Sequence, residues 1–515
     1  MNGSNIRIRL NDQSLFGNDA AEDEEEEVFE SYVIKREEVE SFGKPKARIC
    51  IARAYKGEGK SALLRLAKRE IQSNSKQEAL LIHLKAASIA PTLPEGDATQ
   101  WIRAWKQAIL ARVACEIGAR IGFAWKDDAM SLVEESEKQG FKSRNLVSAI
   151  LDRTGLSVEA SGRSAKASLS IKKRADLVNA EPVVKRWATG RQPIWFIIDD
   201  VDENFEDTAG WRLKVASFFT TCRDLVNSIP ELRIRAAVRP NVWTTLKLKF
   251  EDLSKIEQYV TDLRWSEDLL RKLLANRIEG YLKRNYPMDQ VQSILPQRED
   301  LKDLKFISLL FEEQMQWGKG LRSPHVILST LSMHRPRWLI ELCRVAASNA
   351  AKYSRDKVAR EDIISNLESF GRRRIEDTVA EFRSQCPEIE ELLSGFNRSK
   401  EQMATDELLK FIDNKVLDHL SPRISGAVGK ITNVHVARFL FQIGFIFARR
   451  DLEDGNYEHK TFSDNPSLLS SRTDLDAGFS WEIHPVFRQV LEIRDSSGTE
   501  ARRDSRSPKS RPSRR

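Results

Sequence analysis

The stretch KGEGKS, residues 56–61, places two glycines, two lysines and a hydroxyl within six positions. Those are the parts that grip a polyphosphate. Glycines let the backbone turn tightly with its N–H groups inward, a lysine reaches the outer phosphates, and a serine hydroxyl ligates Mg2+. Gly57 and Gly59 would make the turns, Lys60 would reach the β/γ-phosphates, and Ser61 would hold the metal while opening the following helix. The Glu58 side chain can point outward while its amide faces the phosphate. The same triplet also suits a plainer role, with Ser61 capping a surface helix after a glycine turn, so the surroundings must decide.

Far downstream, IWFIIDD (194–200) is an apolar strand ending in two carboxylates. Phosphoryl chemistry needs one acid to hold Mg2+ through water and another to orient or deprotonate the attacking water. Asp199 is assigned to the metal and Asp200 to water activation, with Asp202 as a weaker candidate behind them. The alternative is a strand end running into a turn rich in Asp and Asn. LRIRAAVRP (232–240) closes the next apolar run with Arg239, which either senses the outermost phosphate or simply leaves the strand. HRPRWLIELC (334–343) sets Arg335 and Arg337 around Pro336 at a helix entrance. An arginine there can close a lid onto a nucleotide or lie in solvent. The seven histidines show no metal-ligand spacing, and His484 in WEIHPVF reads as structural. The five cysteines, Cys50, Cys115, Cys222, Cys343 and Cys386, form no CxxC pair, which argues against both a disulfide framework and a zinc site.

The elements around these residues read as alternating strand and helix. Ala47–Ala52 is a short β-rich run, and after the glycine loop Leu63, Leu64, Leu66 and Ile71 recur at helical spacing. A strand is expected at 79–84 and an amphipathic helix follows, with Trp101, Trp105, Ile109, Val113 and Ile117 on one stripe. Residues 148–172, rich in Ser, Ala and Gly, read as an insertion or mobile loop. The pattern resumes with a strand at 193–205, a helix around 209–227 and the run at 232–240. Alternation of this kind predicts an α/β fold with a parallel sheet. After residue 260 the chain reads as helical, with no strand before the C-terminal third. There a helix ending at Gly444 and two strand-like runs joined around Asp454–Gly455 suggest a winged helix. The expected domains are an acidic disordered tail (1–30), an α/β domain (31–260), a helical domain (261–400), a winged-helix-like domain (401–495) and a basic disordered tail (496–515).

Length and composition bound the rest. At 515 residues, 41% apolar and 31% charged, the chain is a multi-domain globular protein. Its net charge of +7 sits almost wholly in residues 501–515, which carry +6, while residues 22–27 are six consecutive carboxylates. The body is nearly neutral, so electrostatics give nucleic acid no strong support. No apolar run is long enough to span a membrane and the N-terminus lacks a secretory core, so a cytoplasmic protein without a membrane partner is expected.

With these motifs in view, the chain resembles the AAA+/STAND group of P-loop ATPases, above all bacterial ATPases that join an α/β nucleotide domain, a helical lid and a C-terminal winged helix. KGEGKSALL, WFIIDDVDENF, RIRAAVRP, RPRWLIELC and the ending GFIFARRD to WEIHPVFRQVL carry the resemblance across residues 45–495. It implies ATP and Mg2+ as cofactors. ATP would lie on Gly57, Glu58, Gly59, Lys60, Ser61 and Ala62 with Arg337, or Arg335, from the lid, and the metal on Ser61 and Asp199. Lys60, Asp200 and Arg239 would serve catalysis. Two positions depart from the group: Ala54 replaces the usual first glycine, and Asp200 stands where larger AAA+ families usually have glutamate, which bears on hydrolysis rate rather than on binding. The resemblance implies an ATP-driven switch of the kind used in bacterial antiviral defence and signalling. Its expected partners are further copies of itself as a homo-oligomer or a separate effector chain, since no nuclease, protease or deaminase motif is present. The alternative is a DNA-binding initiator or loader resembling origin-recognition ATPases. The ARRD wing and basic tail favour it; the near-neutral body and the aromatic helix VARFLFQIGFIF do not. A third reading is a nucleotide-binding scaffold that hydrolyses almost nothing.

Overall fold

Apolar runs become central strands where both of their faces can be covered, and the first half of the chain shows this directly. The computed structural model describes residues 6–21, 23–34, 36–74, 79–93, 95–121, 127–141, 180–203, 205–247, 249–296, 298–318, 320–427, 429–452, 457–470 and 476–494. The chain divides into two units. A sheet unit comprises Lys35–Tyr55 and Lys60–Leu263, and a helical unit comprises Met1–Ile34, Lys56–Gly59 and Arg264–Arg515.

The sheet unit is built on five parallel strands, β1 (Ile49–Arg53), β2 (Leu80–Lys85), β3 (Ile194–Asp199), β4 (Leu232–Val238) and β5 (Val260–Asp262), in the order β2-β3-β4-β1-β5. Period-2 alternation sends Ile49, Ile51, Phe196 and Ile198 to one face, where they join Trp105, Ile109 and Phe218 of the helices Ala98–Arg120 and Ala209–Ser228. Cys50, Ala52, Trp195 and Ile197 go to the other face, against Leu63, Leu64, Ala67 and Ile71 of the helix Lys60–Asn74. All six residues of β3 are buried, as the two-sided covering of a parallel strand requires. The α/β parallel sheet expected from the alternation is therefore present.

One residue in this sheet escaped the apolar reading of LRIRAAVRP. Arg235 in β4 is fully buried. Its guanidinium donates to the carbonyls of Phe42 (2.5 Å), Ala47 (2.8 Å), Ile234 (2.9 Å), Lys44 (3.0 Å) and Arg48 (3.4 Å), and it stacks on Trp195 at 4.8 Å. Burial pulls its pKa down to about 10.

The helical unit differs from the sequence expectation at two places. Residues 1–30 were expected to be a solvated acidic tail, yet Glu26–Tyr32 is a helix and Leu10, Leu15, Phe16, Phe29 and Tyr32 are buried. Glu24, from the carboxylate run, is also buried, 3.6 Å from Arg277, whose guanidinium lies 3.7 Å over the Tyr32 ring. Apolar residues flanking the carboxylates supply the burial that the charge run alone could not. Second, a hairpin of β6 (Met315–Trp317) and β7 (Gly320–Arg322) interrupts the helical stretch where no strand was expected; at three residues a side it is too short to leave a periodic signal.

Toward the C-terminus, the helix Asn433–Gln442 ends at Gly444, whose φ of 75° continues into β9 (Ile446–Asp451). With β8 (Gln402–Met403), β10 (Tyr457–Lys460) and β11 (Ser480–Ile483) it forms an antiparallel sheet in the order β10-β9-β11-β8. The Asp454–Gly455 turn, the 148–172 insertion and the 496–515 tail lie outside the described residues. His484 is buried and its Nδ1 accepts the Val486 N–H; burial, with Arg488 nearby, drives its pKa down to about 3, so it is a neutral structural residue.

Glu482 on β11 predicts an acid sensitivity of this sheet. Burial pushes its carboxyl up, but hydrogen bonding from His459 and the charges of Arg488 and Arg449 outweigh that and lower its pKa from 4.5 to about 2. The depressed folded value means a contribution present in full above about pH 4.5 and lost as pH falls toward 2. Each tenfold change in proton affinity corresponds to about 1.4 kcal/mol, so the contribution is on the order of 3 kcal/mol. Unfolding of the C-terminal sheet followed between pH 6 and pH 2 should show this acid limb, and Glu482→Gln should flatten it; an unchanged limb would exclude Glu482 as its source.

Candidate functional site

The register of the sheet lines up four strand ends. Lys85 pairs with Asp199, Ile198 with Ala236, and Arg53 with Val238, so β1 to β4 finish along one edge. Crevices at the carboxyl ends of parallel strands are where α/β sheets bind ligands. β4 separates β1 from β3, which sets the chain leaving β1 and the acids after β3 apart by the width of one strand.

In the sheet unit, Lys60 and Ser61 open the helix Lys60–Asn74. Lys60 Nζ donates back to the Ala54 and Tyr55 carbonyls at 2.8 and 3.2 Å. Ala54 itself is strand-like: it is buried, its N–H donates to the Val238 carbonyl at 3.2 Å, and its φ is not positive. Nothing at this position calls for glycine. At the end of β3, Asp199 is 5% exposed and its Oδ1 accepts the Asp200 N–H at 2.8 Å. That bond supports Asp200 in a left-handed conformation, φ 54°, an uncommon one for a residue with a Cβ. The Asp200 carboxylate lies 3.4 Å from Lys85 Nζ. Asp202 is buried; its Oδ2 accepts the Arg239 N–H at 2.7 Å and lies 3.9 Å from Arg239 Nε. Burial raises the Asp202 pKa, and the charges of Arg239 and then Lys60 oppose that rise.

In the helical unit, Lys56–Gly59 carries the tight turns, with φ of 84° at Gly57 and 96° at Gly59. The dihedral calls for glycine at Gly57, and a Cβ there would also meet Arg337 Cβ at a tight 3.1 Å. The Arg337 N–H donates to the Gly57 carbonyl at 3.2 Å, and Trp265 Nε1 donates to the Glu58 carbonyl at 2.8 Å. Arg337 leaves its side chain exposed at the start of the helix Pro336–Lys352. Arg335 instead is buried, ion-paired with Glu381 at 2.7 Å and stacked 4.3 Å from the Trp338 ring. Of the two arginines the sequence offered for a lid, only Arg337 keeps a side chain free to reach outward.

The fold is that of an α/β P-loop NTPase. Strand β1, a loop with two left-handed glycines, a helix opened by Lys60–Ser61, and an acid-tipped strand two places along the sheet are its defining arrangement. The oxygen-only set of Ser61 and Asp199 fits Mg2+, which takes one or two protein oxygens and fills its octahedron with water and phosphate. Among the described residues there is no group of three or more His, Cys, Asp or Glu placed to hold a metal by themselves. Three residues went unnoticed in the sequence: in the sheet unit Lys85, whose only signal was a lysine following the ALLIHL run, and in the helical unit Trp265 and Glu381, which had none.

No family model matches the chain. Over 285 residues, 53% of its length, the chain is 23% identical to the "Putative transposon gamma-delta 80.3 kDa protein" of Escherichia coli K12, and the match spans 38% of that protein. Among solved structures it is similar to the Aeropyrum pernix ORC2 protein, determined as ADPNP–ADP complexes, with 10% identity and a TM-score of 0.41 over 91% of this chain and 98% of that one. Cdc6p of Pyrobaculum aerophilum gives 12% identity and a TM-score of 0.31 over 91% of this chain and 99% of that one. Drosophila ORC bound to DNA gives 12% and 0.31 over 88% and 90%. Among the described residues no helix is long and apolar enough to cross a membrane.

Proposed function

We propose that the chain is an ATP-binding, ATP-hydrolysing switch that uses Mg2+. The observation that carries this reading is the glycine loop. Its left-handed turns at Gly57 and Gly59 lead straight into the helix start bearing Lys60 and Ser61, and Asp199 and Asp200 end a strand on the same sheet edge. ATP would lie on the amides of Gly57 to Ala62, with Lys60 on the outer phosphates and Ser61 and Asp199 on the metal. Bound Mg2+ would neutralise charge on the transferring phosphate. Asp200 would orient the attacking water, with the Lys85 ammonium beside it. Arg239, tied to the buried Asp202, would report on the outermost phosphate, and Arg337, whose N–H donates to the Gly57 carbonyl, would meet the nucleotide at the loop.

Asp200→Asn keeps the shape and removes the base. It should slow single-turnover hydrolysis about a hundredfold, within the range of general-base catalysis, while ATP affinity stays within threefold. Equal background rates in wild type, Lys60→Ala and Asp200→Asn would leave a binding scaffold and remove the enzyme.

A second reading, an ATPase acting on DNA, draws on the relative named as a transposon protein. Against it stands the packing of the helix Asn433–Gln442: none of its residues is exposed, and Arg438 donates to the Leu468 carbonyl at 3.2 Å. On β9, Arg449 is paired with Asp451 and Glu482, and Arg450 lies 4.1 Å over the Phe479 ring. Salt-dependent duplex binding that survives deletion of 496–515 would favour the DNA reading over the first.

A further inference from the structure

Four backbone groups of the glycine loop are tied to side chains or backbone of the helical unit. Glu381 accepts the Lys56 N–H at 3.0 Å, Arg335 donates to the Lys56 carbonyl at 3.4 Å, the Arg337 N–H donates to the Gly57 carbonyl at 3.2 Å, and Trp265 donates to the Glu58 carbonyl at 2.8 Å. The carbonyls of Lys56, Gly57 and Glu58 are consecutive. In a trans peptide the C=O of one residue and the N–H of the next point to opposite sides, and the chain has no cis peptide among its described residues. Holding these three carbonyls therefore also fixes the directions of the N–H groups of Gly57, Glu58 and Gly59, the groups with which such a loop binds an anion.

The anchor of this arrangement is the Arg335–Glu381 pair. The Glu381 side chain is 2% exposed and that of Arg335 is 7% exposed, and Trp338 stacks against the guanidinium. These groups share the wall of a cavity of about 270 Å3 with Lys56 and Arg337. A buried carboxylate keeps its place only when hydrogen-bonded and paired, and here one of its two oxygens serves the loop while the other serves Arg335.

We infer that Glu381, held by Arg335, is a positioning residue that sets the peptide planes of the glycine loop for phosphate binding, so that the helical unit controls nucleotide affinity through the loop backbone. This rests on the proposed nucleotide site. Any partner that shifts the helices Pro336–Lys352 and Leu367–Phe382, which carry Trp338 and Glu381, would then change affinity without touching the nucleotide.

The test compares wild type, Glu381→Ala, Glu381→Gln and Glu341→Ala in the full-length chain. Glu341 is paired with Arg373 and Arg374 on the same two helices, so its loss is a control for damage to their packing. Two quantities are read: the affinity for a fluorescent ATP analogue with Mg2+, and amide exchange of the peptide covering 54–62 without nucleotide. Glu381→Ala should weaken binding tenfold or more and speed exchange of that peptide. Glu381→Gln, which keeps an acceptor for the Lys56 N–H, should recover most of both, and Glu341→Ala should leave both within twofold of wild type. The inference falls if Glu381→Ala stays within twofold in exchange and affinity, or if Glu341→Ala matches it. Wild type that binds no nucleotide would overturn the proposed function, and the exchange comparison would still decide whether Glu381 positions the loop.

Discussion

Lys60→Ala is expected to weaken ATP binding roughly fifty- to a hundredfold while leaving the fold intact. The Lys60 ammonium now spans to the carbonyls of Ala54 and Tyr55 at the start of the loop. Handing those bonds over to phosphate oxygens replaces neutral acceptors with anionic ones, and charge-assisted bonds of this kind contribute about 1.5–3 kcal/mol. Loss of two bonds to loop carbonyls at a partly exposed site removes about 1–3 kcal/mol of stability. Titration with a fluorescent ATP analogue beside a thermal melt separates the two effects. Affinity within threefold of wild type would show that the loop does not hold phosphate through Lys60, and the P-loop reading of the site would fail with it.

Arg235→Met should have the largest effect on stability, lowering that of the sheet unit by about 3 kcal/mol, because each buried carbonyl left without a donor costs about 1–3 kcal/mol and, of the five, the Arg48 carbonyl still accepts the Ile234 N–H at 2.8 Å. Methionine fills much of the volume and can still rest on Trp195, so the loss comes from the carbonyls. Those of Phe42, Lys44, Ala47, Arg48 and Ile234 share this one guanidinium. Four of the five belong to the segment leading into β1, so that segment should loosen first. Urea unfolding with hydrogen exchange of peptides covering 36–53 and 232–238 measures both, and a loss below about 1 kcal/mol would mean that those carbonyls find other donors. The lowered pKa of Arg235 shows that burying the charge is itself unfavourable, yet the carbonyls it serves are main-chain groups that no substitution can remove.

The two departures from the P-loop pattern have different physical standing. Ala54 sits in extended backbone bonded to Val238, so the missing glycine costs the loop nothing, while the two glycines that must adopt left-handed angles, Gly57 and Gly59, are both present. Asp200 is a shorter acid than glutamate, but it sits on a left-handed residue braced by Asp199, so the strand exit itself is turned to present it. Reach lost in the side chain is set against direction gained in the backbone, and the hydrolysis rate of Asp200→Glu relative to wild type would measure the balance.

The parallel sheet, the glycine loop and the acids at the end of β3 were legible in the amino-acid sequence because each rests on local chemistry. Strands buried on both faces need continuous apolar runs, left-handed turns need glycine, and the 3.6-residue repeat of Leu63, Leu64 and Ile71 declares a helix without reference to anything distant. What local pattern could not reveal was where polar groups would find their partners. In the carboxylate run Asp23, Glu25, Glu26 and Glu27 stay exposed, as a charge run should, but nothing in the pattern marks Glu24 as the one buried 3.6 Å from Arg277. An arginine in LRIRAAVRP gives no sign that five carbonyls await it, and Lys56 is 325 positions from the glutamate that accepts its N–H. Apolar periodicity is written along the chain, whereas the hydrogen-bond partner of a buried polar group is chosen by packing. For that reason the amino-acid pattern was enough for the class of fold and for the glycines, lysine and acids of the candidate site, while packing alone chose the groups that hold the loop in place.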